Sequence, residues 1–108
     1  MNDASLQSDE ELRAHLHGET SKLPWTELEK HFARGVVFKV AKGIDILDVA
    51  LVIARDDKDT LKIWIDNKDV LAVEVEDAQK WHDTSASLWS VVVAPFILVQ
   101  EFEQKLDS

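Results

Sequence analysis

Residues 88–101 read LWSVVVAPFILVQE, the most apolar stretch of the chain. From Val91 to Val99 no side chain is charged or polar, yet Pro95 stands in the middle. Nine residues are too few for a bilayer-spanning helix, which needs about 20. The β-branched enrichment and short length predict strand buried on both faces. Proline has no N–H for a central ladder, so Pro95 is expected at a bulge, a bend or an edge-facing position. The run is therefore read as two strand segments, about Trp89–Ala94 and Phe96–Glu101, joined by a kink. Whether it packs against helices of its own chain or those of a second copy is left open. Phe96, Ile97, Leu98, Val99 and Trp89 form the candidate interaction surface.

Upstream, helices alternate with a few short strands. Ser8-Asp9-Glu10-Glu11 is a capping box that starts a first helix. Leu12, Leu16 and Leu23 give it a thin apolar stripe, and Gly18 weakens its middle. Pro24 suits a place at or near the first position of a second helix, in which Trp25, Leu28 and Phe32 share a face and Gly35 supplies the stop. Residues 36–40, VVFKV, alternate as a half-buried strand with Val36, Phe38 and Val40 on one face. Asp45 caps a third helix, with Leu47, Ala50, Leu51 and Ala54 on its main apolar face and Val49, Val52 and Ile53 covering much of the rest. Residues 56–59 break it and cap a fourth helix carrying Leu61, Trp64 and Ile65. A short strand, VLAVEV, and a last helical piece from Glu76 to Asp83 follow, with Ala78 and Trp81 inward. The fold class expected is α+β: one compact domain over residues 8–102, a small sheet of three or four strands covered by helices, and flexible ends at 1–7 and 103–108.

Charge narrows the functions. Twelve Lys+Arg against 21 Asp+Glu give −9, and residues 74–108 hold seven acids and two bases. No third of the chain is net basic, so nucleic acid and anionic membrane surfaces are not expected partners. With no cysteine, thiolate chemistry and disulfides are excluded, which suits a reducing cytoplasm. The first residues have neither the basic start nor the apolar core of a secretory signal.

Each constellation that resembles chemistry has a simpler reading. Asp45, Asp48 and Asp56 to Asp59 suggest a cation site, but they lack the register and central glycine of a calcium loop, and aspartate is a preferred helix cap. His15 and His17 point to different faces of one helix and cannot share an ion. Glu11, His15 and Glu19 do share a face, but as solvated surface rather than a zinc motif. Ser85, Ser87 and Ser90 near His82 lack a nucleophile elbow. The helix pair about Asp56-Asp57 has the outline of a helix-turn-helix, but its second helix offers acids and no arginine or glutamine to read bases. Trp25, Trp64 and Trp81 fall on apolar helix faces, where core packing is the default reading; an exposed tryptophan would instead anchor a partner.

Two stretches, PWTELEKHFARG (24–35) and LWSVVVAPFILVQE (88–101), resemble an uncharacterised bacterial family of small acidic proteins of about a hundred residues, a domain of unknown function. VALVIARDDK (49–58) and the tryptophan of KIWIDN (62–67) are also similar. The resemblance spans roughly residues 10–102. It implies a bacterial cytosolic protein without an assigned activity, and it transfers no catalytic residue. Gly18 and Pro24 depart from the helix formers expected there, which favours a break between the first two helices.

The reading that results is a cytoplasmic, non-enzymatic interaction or oligomerisation domain, binding an unknown protein or a second copy of itself. No catalytic residue, cofactor or metal is assigned. The alternative is a small ligand-binding protein or enzyme with a pocket near Arg34, His82 and Glu101.

Overall fold

The structure, a computed structural model, describes residues 8–101; the expected flexible ends at 1–7 and 103–108 lie outside them, as does Phe102. The helices are α1 (Asp9–Gly18), α2 (Trp25–Ala33), α3 (Ile46–Ala54), α4 (Lys58–Asp66) and α5 (Val75–Asp83). The strands are β1 (Thr20–Pro24), β2 (Val37–Val40), β3 (Val70–Ala72), β4 (Ser87–Val93) and β5 (Phe96–Gln100). They form one mixed sheet in the order β1-β4-β5-β2-β3, parallel only between β5 and β2. The α+β class holds; the five strands exceed the three or four expected.

Local signals start the elements. The Ser8 hydroxyl accepts from the Glu11 N–H, and the Glu11 side chain accepts in return from the Ser8 N–H, completing the capping box. Asp45 accepts from the Leu47 N–H at the start of α3, and Asp57 from the Thr60 N–H at the start of α4. At the end of α2, Gly35 takes φ +77°, its N–H reaches the Phe32 carbonyl and the Val36 N–H reaches that of His31. That paired closure needs the left-handed conformation glycine adopts without strain.

Several expectations change. Val36 precedes β2 and packs against the opposite core from Phe38 and Val40, and Ile65 of α4 is exposed. Leu23 belongs to an edge strand, β1, and the stripe on α1 is Leu12 and Leu16 alone, both buried. The run 88–101 does not merely kink: it reverses at Ala94-Pro95 into an antiparallel hairpin that pairs Val93 with Phe96 and Trp89 with Gln100. On α3 the buried residues are Ile46, Val49 and Ala50, while Ala54 is exposed. Tertiary packing chose the face because α3 is apolar nearly all round, and periodicity alone does not select among such faces.

Strand alternation divides the interior into two cores. On one face Val91, Val93, Leu98 and Val40 meet Leu12 and Leu16 of α1 and Ile46, Val49 and Ala50 of α3. On the other, Leu88, Ile97, Val99 and Val37 meet Trp25 and Leu28 of α2 and Trp81 of α5. Central strand β5 is thus covered on both sides by helices of its own chain, and Ile97, Leu98 and Val99 are all buried. Phe96 is half-buried edge-to-face with Phe38, ring centroids 5.6 Å apart.

The outer edge of β1 is guarded. Trp25 N–H donates to the Ala86 carbonyl, so in the β1–β4 register the odd-numbered residues point their backbone groups at β4 and the even-numbered ones point outward. Two of those outward residues are Lys22 and Pro24, a charge and a missing donor, which blunt the edge against another strand.

Candidate functional site

Parallel neighbours β2 and β5 end side by side, and a cleft of about 340 Å³ opens beyond their carboxyl ends. That is a common position for ligands in sheets containing parallel strands. The residue after β5, Glu101, lines the cleft together with Lys39 and Lys42 from the end of β2 and the loop beyond it. Lys68 enters before β3, and Asp77, Lys80 and Trp81 come from α5. A second hollow of about 660 Å³ shares Lys42, Lys80, Trp81 and Glu101 and adds Lys22.

The sheet and its helices hold these groups in place. The Gln100 amide donates to the carbonyls of Ala41 (2.8 Å) and Ile44 (2.6 Å), fixing the loop that carries Lys42. Lys39 Nζ donates to both Asp77 oxygens, at 2.9 and 2.7 Å, bridging sheet to helix. Asp77 also accepts from the Glu74 N–H at the first turn of α5. The Trp81 ring is buried against Trp25, centroids 5.1 Å apart, and its Nε1 donates to Glu101 Oε2 at 2.8 Å. Lys80 Nζ reaches the same oxygen at 2.8 Å, and Lys42 stands 3.9 Å from Oε1.

Electrostatics follow the geometry. Burial works against the ionised Asp77 carboxylate, but the Lys39 hydrogen bond, the Glu74 N–H and the charges of Lys39 and Lys80 outweigh it, and the carboxyl titrates below its ordinary range. For Glu101, burial is again opposed and outweighed by the Lys80 and Trp81 hydrogen bonds and the charges of Lys80 and Lys42. Lys80 is raised, chiefly by its hydrogen bond to Glu101. Both carboxylates therefore stay ionised at neutral pH. In acid the unfolded chain takes up protons first, so the stability these two groups contribute is present above the ordinary carboxylate pKa of about 4 and is lost as pH falls through their lower folded values. Thermal midpoints measured between about pH 6 and pH 3 should fall, and the Asp77→Asn variant should lose part of that slope. An unchanged slope would show that the Asp77–Lys39 pair carries no linkage.

The other candidates scatter. Arg34 caps the C-terminus of α2 and is exposed. His82 Nδ1 lies 3.2 Å from Glu29 on the outer surface of α2 and α5. Of the pocket proposed for Arg34, His82 and Glu101, Glu101 alone lines the lysine cleft. Ile97, Leu98 and Val99 are interior, and Trp89 is partly exposed with Lys22 Nζ 5.0 Å from its ring centroid. Three of the acids suspected of cation binding have structural partners: Arg13 spans Asp45 and Asp48, and the Asp48 hydrogen bond is the main reason its pKa is raised. Asp57 holds the start of α4. Among the described residues no group of three or more histidines, aspartates or glutamates is arranged to hold a metal ion, and no helix is long and apolar enough to cross a membrane.

The lysines carry no joint signal in the sequence because they are spread over 42 residues and belong to a strand, two loops and a helix. Their one common signal is scarcity: four of the chain's 12 bases converge here, in a protein of net charge −9.

None of the curated proteins matches the chain. The NMR solution structure of PA1075 from Pseudomonas aeruginosa is similar, with 31% identity, a TM-score of 0.77, and 100% of this chain and 99% of that chain covered. A family model described as a protein of unknown function, DUF2288, matches residues 11–101. The match covers both stretches whose resemblance was noted in the sequence, and this chain belongs to the DUF2288 family.

Proposed function

We propose that this protein is a non-enzymatic binding domain whose lysine cleft takes a small anionic ligand. The observation that carries the reading is the local reversal of charge. Four ammonium groups face three carboxylates, Asp69, Asp77 and Glu101, in a chain whose acids otherwise outnumber its bases. A concave site of net positive charge concentrates anions even on an acidic protein. The binding role is preferred to a catalytic one because Asp77 and Glu101 are held ionised by lysines. General acid–base work needs a group that changes protonation near the operating pH.

The test is a titration of isotope-labelled protein with inorganic pyrophosphate and with citrate, at constant ionic strength, followed by NMR. Resonances of Lys42 and Lys68 should move together with a dissociation constant between about 10 μM and 1 mM, and the Lys42→Ala/Lys68→Ala double variant should weaken binding about tenfold. Changes spread evenly over all lysines, or none at millimolar ligand, would refute the reading.

A second reading, a protein-interaction or oligomerisation domain in the bacterial cytoplasm, is favoured by large apolar side chains left in solvent: Val75 is 71% exposed and Ile63 59%. Sedimentation that gives one monomeric species at about 100 μM would count against the oligomer.

A further inference from the structure

Glu101 is placed less like a lining residue than like an occupant. It follows the last residue of β5, and its carboxylate lies over three donors that converge on one spot: the Trp81 indole N–H and the ammonium groups of Lys80 and Lys42. Two of those donors share a single oxygen, Oε2, each at 2.8 Å. The indole is the rigid member, because Trp81 is 3% exposed and braced by Trp25. The two lysines are mostly exposed and free to follow whatever anion the indole holds. A buried N–H with two mobile cations beside it is a receptor for an oxyanion, and the chain's own carboxylate fills it.

We propose that Glu101 is an internal competitor for the cleft, so that an incoming oxyanion displaces its carboxylate from Trp81 Nε1 and Lys80. This inference rests on the anion-binding reading above. The ligand class is a compact oxyanion with at least two negative charges, since a single carboxylate would only match what Glu101 supplies intramolecularly at high effective concentration. The second charge gains from Lys68, which lines the same cleft and is not a partner of Glu101. Phosphate monoesters and di- or tricarboxylates share that chemistry, and pyrophosphate and citrate serve as the two probes.

The distinguishing experiment compares the wild type with Glu101→Gln in both titrations. Glutamine keeps an oxygen for the Trp81 indole but removes the charge, so affinity should rise about fivefold if Glu101 competes. In the wild type the Trp81 indole N–H resonance should shift on saturation, because its acceptor changes from carboxylate to ligand. This second readout does not depend on the variant folding. If the wild type binds but Glu101→Gln binds equally or more weakly, or if binding leaves the indole resonance where it was, the competitor inference is overturned while anion binding stands. If neither protein binds either probe at about 10 mM, the anion-binding reading itself has failed. The probe that binds more tightly tells the phosphate-like ligand from the carboxylate one.

Discussion

Leu98→Ala should destabilise the protein by about 3–5 kcal/mol, the upper part of the range for leucine truncations in rigid cores. Leu98 is fully buried in the central strand, pairing with Val91 on one side and Phe38 on the other, beneath α1 and α3. Strands on both flanks and helices above leave the surroundings little room to collapse into the space, so the cavity term adds to the lost transfer energy. The thermal midpoint should drop by roughly 15 °C or more. Val92→Ala, in the same hairpin but 47% exposed, should cost less than about 1 kcal/mol. Comparable losses at the two positions would mean that the hairpin, rather than the double-sided core, sets stability.

The second large effect separates two tryptophans that touch. Trp81→Phe should cost about 2–3 kcal/mol and Trp25→Phe about 1 kcal/mol, although Trp25 is the more deeply buried. Both substitutions remove part of an indole from one aromatic cluster, where Trp25 also lies 5.7 Å from Phe32. The difference is the N–H. Trp81 donates to Glu101, and losing it leaves a partly buried carboxylate short of a donor. Among the described residues the Trp25 Nε1 has no acceptor, so phenylalanine there removes an unsatisfied donor along with the volume. Denaturant melts of the two variants give the comparison directly, and equal losses would show that the Glu101 hydrogen bond adds nothing to stability.

How far the sequence disclosed this molecule depends on the range of each interaction. Ser8, Asp45 and Gly35 act within a few residues, and each does in the fold what its neighbours in sequence imply. The double-sided burial of residues 97–99 was legible for a similar reason, since unbroken apolar sequence in a short segment is how a central strand reads. β1 escaped notice because Thr20-Ser21-Lys22-Leu23-Pro24 has the composition of a loop; it is a strand only because β4 offers it an edge. The reversal at Pro95 had two local solutions, a bend or a turn, and pairing of β4 with β5 decides between them. The cleft was legible only at Glu101. Its lysines have no periodic signature, and Trp81 shows its apolar ring in sequence but not the acceptor its indole finds 20 residues later.

The position of β5 also constrains how the protein can be made. It lies between β4, its hairpin partner, and β2, nearly sixty residues earlier in the chain. Until Phe96 to Gln100 have left the ribosome, the earlier strands can form only two separate ribbons, β1 with β4 and β2 with β3. Two-stranded ribbons are marginal in water. The last described strand is therefore the keystone, and folding waits for it. A nascent chain stalled before Phe96 would expose both hydrophobic faces at once, the condition in which incomplete chains aggregate or recruit chaperones.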